Sequence, residues 1–582
     1  MSPVLLSLIG RWPFTPGFRS AILSFSVVIA VASGCQAPNS SRYRNSVAHQ
    51  AQPSPESEKR DRNQTYALTN TIVIDQIRTE ATLPRESAQG NPLPLAGHWC
   101  EDPKNKSGIP LSRQLALINA GHHLVPWLTL WSPDEQLNPS WPGIYRPLVE
   151  ELAKAKLPLT LLSDQWEDLL TNDPAFSRLP STKNPDVIAT DGHIIRELSP
   201  FGAVEPWREA GRKWASSKEM HLLQTWYPDP PLVLMISNNE PRRLVWPEVE
   251  QDARYLKRYR GHGDDAFKRK VVAEGYIERE RALHDGIRSA LISPAWRANV
   301  KFVAFNATGP SEFGKAPDWL EKSLEVPGRI DPAPLEWDGA EFEYYYYEIT
   351  DCTLSSLQVE AMNWVFMENQ TYELDPDFWT ELVTWDGSSQ STPLRQICGR
   401  PMTPDRFVAD VQFGMWLLRP RTVREWRYVD DSVARWRPAF TQIVGAVDRF
   451  YSNSVLEDFW KHGRLVANPA SRHPYQSAIP SEYRNVSRWF LLDTSANEQK
   501  LRSLDDEVRI FALAVVTGSA PHRRWLVYAF SPLGDHDGIT IAVPGFGSIQ
   551  ADVDEGGRYY VLDEGSHAVS QLSSVAAGTR LP

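Results

Sequence analysis

Cysteine and methionine are scarce in this sequence: 4 and 7 in 582 residues, with no Cys-x-x-Cys pair. That scarcity excludes a disulfide-framed scaffold and the usual structural zinc modules. No His, Cys, Asp or Glu cluster has metal-ligand spacing. His122 and His123 are adjacent and would point to opposite faces of a strand. No metal and no cofactor are therefore expected. Positive charge is in deficit, with 61 Lys and Arg against 72 Asp and Glu and a net charge of −11. A general polyanion binder carries the opposite balance, so nucleic acid is not an expected partner.

Aromatic residues are plentiful. The 22 Trp and 19 Tyr offer flat faces that stack on sugar rings, although the same side chains fill the cores and rims of large barrels. An apolar fraction of 42% excludes wholesale disorder, and the length implies two or more domains.

The first residues read as a targeting segment. Arg11 and Arg19 flank or precede an apolar run over 21–32 that is too short to span a bilayer well. Ala32-Ser33-Gly34-Cys35 follows and resembles a bacterial lipobox, with Ala32 where Leu is usual. The resemblance implies lipidation of Cys35 and export to the cell envelope, as an outer-membrane lipoprotein, in the periplasm or at the cell surface. The lipid would be the chain's only membrane contact. Ordinary signal-peptide cleavage nearby also exports the chain. Residues 36–91 are polar and rich in Pro and Ser, which predicts a disordered linker. Cys100, Cys352 and Cys398 then allow one disulfide; Cys352 with Cys398 is preferred, though spacing proves no pair.

Residues 92–460 alternate strand-like and helical stretches, the pattern of βα units around a parallel sheet. The expected strands are 124–130, 157–162, 186–190, 231–236, 300–306, 342–348, 378–383 and 411–418. Eight such units predict an α/β fold, a (β/α)₈ TIM barrel. Short strand-like runs separated by turn residues fill 461–582, as in a small C-terminal all-β sandwich.

In such barrels reactive groups sit at the C-terminal ends of strands. Ser237-Asn238-Asn239-Glu240-Pro241 follows the fourth expected strand, and Glu381 lies in the seventh, within Phe378-Trp-Thr-Glu-Leu-Val-Thr-Trp-Asp-Gly387. Here the chain resembles the clan A glycoside hydrolases, whose strand four ends in Asn-Glu. The resemblance implies Glu240 as acid/base, Asn239 as a sugar ligand and Glu381 as nucleophile, in a retaining double displacement on a β-linked polysaccharide or oligosaccharide. One carboxyl must be protonated to protonate the leaving oxygen, and the other charged to attack the anomeric carbon. Glu348 and Asp386 are rival nucleophiles. The resemblance also implies Tyr346 beside the nucleophile and Trp416 as a sugar platform on strand eight. Trp131, Trp166 and Asn306 are further candidates for the cleft.

Each motif has a plainer explanation. Asn-Glu-Pro also suits a helix N-terminus, Glu381 a salt bridge inside the barrel, and the Trp residues packing. Arg419, Arg421 and Arg424 suit ion pairs with the acidic residues better than anionic-sugar binding. The alternative functions are a non-catalytic, surface-anchored glycan-binding protein and a structural lipoprotein.

Overall fold

The computed structural model describes residues 68–98, 109–130, 141–163, 166, 168–237, 250–259, 261, 265–306, 337–345, 372, 375–385, 396–397, 400–401, 403–425, 433–469, 490–497 and 507–572. Cys35, Cys100, Trp131, Asn239, Glu240, Tyr346, Glu348, Cys352, Asp386 and Cys398 lie outside these residues.

The first described element contradicts the expected linker. Helix α1, Thr71–Thr82, falls inside 36–91 yet packs on the barrel through Val73, Ile74, Ile77 and Ala81. These positions line one helical face, and the Asn70 side chain caps the helix by accepting from the Val73 amide at 3.3 Å. The polar residues around this stripe conceal it from a compositional reading.

Eight strands form one parallel sheet. They are β1 Leu95–His98, β2 Trp127–Leu130, β3 Leu159–Ser163, β4 Val233–Ser237, β5 Val300–Asn306, β6 Gly339–Tyr345, β7 Trp379–Trp385 and β8 Thr422–Glu425. Each pairs in parallel with its neighbour in sequence, and β8 pairs with β1. Among the described residues the ring closes at the bridge Ala96 to Leu124, through Ala96 N to His123 O at 3.0 Å and Val125 N to Ala96 O at 2.9 Å. Followed once around, the registers return displaced by about eight residues, the shear of a closed (β/α)₈ barrel.

The strand order differs from expectation at three places. The four-residue β1 is too short to stand out. The expected strand at 186–190 is instead part of an antiparallel hairpin, Asp186–Ile188 with Ile194–Leu198, outside the barrel. These two differences offset each other, so 233–237 is still the fourth strand and 379–385 the seventh. The expected eighth strand at 411–418 is helical.

Helices surround the sheet. Among them, α2 (Glu205–Ala215) and α3 (Asp265–Ala290) cross with backbones nearly touching. A Cβ on Gly211 would lie 2.1 Å from Leu283 O, and one on Gly286 2.0 Å from Arg208 O. Only glycine allows that approach at either position of the crossing. Helix α4, Pro404–Leu418, is buried along its whole length from Arg406 to Leu418, because the barrel covers one side and the C-terminal sheet the other. Helix α5, Val433–Ser452, packs outside β1 and β8.

The C-terminal part is antiparallel. A five-stranded sheet runs in the order β9 (Arg464–Leu465), β10 (Phe511–Thr517), β11 (Arg524–Phe530), β14 (Arg558–Asp563), β15 (Val569–Gln571). A hairpin, β12 (His536–Val543) and β13 (Gly547–Val553), lies over it. Ile541, Val543, Ile549 and Ala551 of the hairpin share a core with Ile510, Trp525, Val527 and Leu562. The chain is thus a TIM barrel followed by an antiparallel β domain.

Candidate functional site

Three barrel strands contribute to a buried charge cluster. Glu341 on β6 and Glu381 on β7 are register partners, and Arg424 on β8 reaches both. All three side chains are fully buried. Arg424 donates through Nη2 to Glu381 Oε1, and its Nη1 lies 3.3 Å from Glu341 Oε1. The guanidinium sits over the Trp127 ring of β2, 2.8 Å from its centroid, a cation–π arrangement inside the barrel. Gly97 on β1 is the register partner of Arg424. A Cβ there would meet Arg424 Cγ at 3.2 Å and Trp127 Nε1 at 3.4 Å. The glycine leaves room for the arginine stem and the indole.

Glu381 is divided chemically. Its Oε1 accepts from Trp379 Nε1 at 2.9 Å, from Thr422 Oγ1 at 2.6 Å and from Arg424. Its Oε2 is buried and has no hydrogen-bond partner among the described residues. A carboxylate oxygen left bare in a low-dielectric interior is costly. The three donors on the other oxygen offset that cost and fix the side-chain orientation.

The remaining expected site residues separate into three groups. Glu240, Asn239, Tyr346 and Trp131 lie outside the described residues; Ser237, which ends β4, is followed in sequence by Asn238-Asn239-Glu240. Asn306 ends β5, as expected from the sequence. Trp416 and Trp166 are elsewhere. Trp416 belongs to α4, is fully buried, and donates through Nε1 to Tyr559 OH at 2.9 Å. It cannot offer a face to a sugar. Trp166 is buried among Trp214, His284, Phe302 and Trp337, so it is core and not cleft.

Of the arginines near strand eight, Arg421 and Arg424 pair with carboxylates, and Arg419 donates to the Trp460 carbonyl at 3.1 Å. Arg421 reaches Asp377 at 2.9 Å and the Leu83 carbonyl at the end of α1 at 2.5 Å. Burial pushes its guanidinium down to about 10, against the opposing pull of Asp377. Arg424 and Glu341 are the residues whose importance the sequence underplays. The available signal was a charged Arg424-Glu425 pair in a short run, and Glu341 and Glu343 alternating with aromatics at a strand's period of two.

His122 and His123 do not point apart. They lie in the turn before β2, where strand alternation does not hold, and both rings meet the Asp448 carboxylate of α5, at 2.7 and 2.8 Å. His123 also stacks on Tyr451 and contacts Gln76 Oε1 at 2.9 Å. Among the described residues no cluster of three or more His, Cys, Asp or Glu could hold a metal ion, and no helix is long and apolar enough to cross a membrane.

No protein-family model matches the chain, and no curated protein matches it in sequence. Among solved structures, it is similar to a glycoside hydrolase family 5 enzyme from Prevotella bryantii, with 10% identity, a TM-score of 0.32, and coverage of 66% of this chain and 99% of that one. It is also similar to a family 51 α-L-arabinofuranosidase from Bifidobacterium longum, with 9% identity, a TM-score of 0.30, and coverage of 81% and 78%. A family 44 xyloglucanase from Paenibacillus polymyxa gives 9% identity, a TM-score of 0.26, and coverage of 72% and 83%. Likenesses this weak carry no argument about what this chain does.

Proposed function

We propose that the chain is a retaining glycosidase acting on β-linked poly- or oligosaccharides, with Glu381 as nucleophile and Glu240 as acid/base. The observation that carries this reading is the divided carboxylate of Glu381. Attack on an anomeric carbon needs one oxygen free to form a bond and the other held, so that the group is oriented and its charge stabilised. Oε2 has no hydrogen-bond partner among the described residues, and Oε1 takes three donors. The position of Asn239-Glu240 just past β4 supports the partner assignment, since reactive residues of such barrels sit beyond strand C-termini.

The complete burial of Glu381, the third residue of β7, favours a second reading. In it Glu381 is only the internal counter-ion of Arg424, and the nucleophile is Asp386, one residue past β7, or Glu348, three residues past β6.

The test is a polysaccharide and aryl-glycoside panel on wild type, Glu240→Gln and Glu381→Gly, with azide added. In the first reading Glu240→Gln loses activity on unactivated substrates. Glu381→Gly is inactive alone and forms a glycosyl azide of inverted configuration. Rescue of Asp386→Gly or Glu348→Gly instead selects the second reading. Binding of a polysaccharide without cleavage by wild type favours a glycan-binding protein.

A further inference from the structure

The unexplained member of the buried cluster is Glu341. One arginine faces two carboxylates in a fully buried site, and only Glu381 has a task in the proposed reaction. We infer that Arg424 is the positioning residue of the nucleophile and that Glu341 is the counter-ion that keeps Arg424 in place while Glu381 carries the sugar. This inference rests on the first reading of Glu381.

In the first step Glu381 Oε2 bonds to the anomeric carbon and the bond from that carbon to the leaving oxygen breaks. Glu240 gives its proton to that oxygen and is left as a carboxylate. Glu381 is now a neutral ester. In the second step the oxygen of water bonds to the anomeric carbon, its proton passes to Glu240, and the electron pair of the broken C–Oε2 bond returns to Glu381.

Between the two steps Arg424 has lost the charge of its nearer partner. A buried guanidinium without a counter-charge is strongly unfavourable. Glu341 lies 3.3 Å from Nη1 on the neighbouring strand and is untouched by the chemistry. It holds the arginine through the covalent intermediate. Arg424 therefore still donates to Oε1, which has become the ester carbonyl oxygen, and helps expel the carboxylate in the second step. Trp127 below the guanidinium and the missing Cβ of Gly97 complete its seat.

Both residues thus act while the sugar is on Glu381, and their loss splits kcat from kcat/KM, which a purely structural role would not do. The experiment uses the full chain and a set of 2,4-dinitrophenyl β-glycosides, whose good leaving group makes the second step limiting. Glu341→Gln is expected to lower kcat, which here reports the second step, by about tenfold, because Arg424 is no longer held at the ester. Its kcat/KM, which reports the first step, should stay within about twofold while Glu381 still carries the charge that pairs with Arg424, so KM falls. Arg424→Met is expected to lower kcat by about 100-fold with a fall in KM, because the glycosyl-enzyme accumulates. If either fails to fold, as judged by circular dichroism, Gly97→Ala shifts the guanidinium without changing any charge and should lower kcat at nearly constant kcat/KM. Equal falls of kcat and kcat/KM in Glu341→Gln and Arg424→Met, or no change beyond twofold in the folded variants, overturns the inference. Absence of azide rescue in Glu381→Gly, on the same substrates, overturns the nucleophile assignment itself and the inference with it; rescue with unsplit kinetics removes the inference alone.

Discussion

Trp416 donates its indole N–H to the hydroxyl of Tyr559 across the boundary between the barrel and the C-terminal sheet, at 2.9 Å. The hydroxyl in turn donates to Gln412 Oε1 at 2.8 Å, and Tyr528 OH donates nearby to the Ala409 carbonyl at 2.6 Å. Helix α4 is thereby fastened to β11 and β14 by buried polar contacts. Burial pushes the Tyr559 phenol up to about 12, so it stays neutral and able to donate. Tyr559→Phe is expected to leave the Trp416 N–H unpaired and to cost about 1–3 kcal/mol, measured by urea unfolding. Glycoside turnover, where it is found, should be unchanged. Loss below about 0.5 kcal/mol would show that the contact contributes little.

A second prediction concerns Trp166. As a core residue packed between Trp214 and Trp337, its replacement by alanine should cost about 3–5 kcal/mol. As a cleft residue it would instead weaken saccharide binding with little loss of stability. Thermal unfolding and affinity electrophoresis in polysaccharide gels separate the two.

Gly211 and Gly286 make a third. Each faces a carbonyl of the opposite helix at a distance no real Cβ tolerates. Gly211→Ala or Gly286→Ala must push α2 and α3 apart, at about 1–3 kcal/mol each. The double variant should cost less than the sum, since one displacement relieves both clashes. Full additivity in a double-mutant cycle would contradict the shared crossing point.

Acid sensitivity is the fourth. Burial pushes the Asp448 carboxyl up, but hydrogen bonds from His122, His123 and the His123 amide outweigh it and hold the group below its ordinary value of 3.8. A depressed carboxylate contributes stability that is complete above that ordinary value and is lost as pH falls through the lower folded-state value. Asp448→Asn should therefore cost about 1–3 kcal/mol at neutral pH. The gap to wild type should narrow only below about pH 4. A gap that is constant down to pH 2.5 in thermal melts would refute the linkage.

The barrel was legible from the alternation of apolar runs with longer helical stretches, and β4, β5 and β7 stand close to where periodicity puts them. Where the sequence misled, the cause was tertiary context. Helix α4 is enclosed on all sides, so its residues lost the polar face that marks a helix and 411–418 resembled a buried strand. Leu95–His98 is a strand only because β8 pairs with it. Helix α1 contributes one apolar stripe to a stretch whose overall composition is polar. For the site, Glu381 could be picked out because a carboxylate in an apolar run needs a reason. Its donors could not be found in the same way. Thr422 and Arg424 are brought to it by a register 41 and 43 residues away in the chain, and no local pattern encodes that pairing.

Seven of the eight neighbouring strand pairs in the barrel are ladders of four to seven residue pairs, and among the described residues β1 meets the segment before β2 at one bridge, Ala96 with Leu124. Asp448 grips His122 and His123 from outside the ring beside that bridge. One helix-borne carboxylate thus ties α5 to the segment whose His123 carbonyl and Val125 amide join it to β1. Protonating it loosens that tie, so in acid the Ala96 and Val125 amides should exchange with solvent deuterium ahead of those buried in β4 and β7.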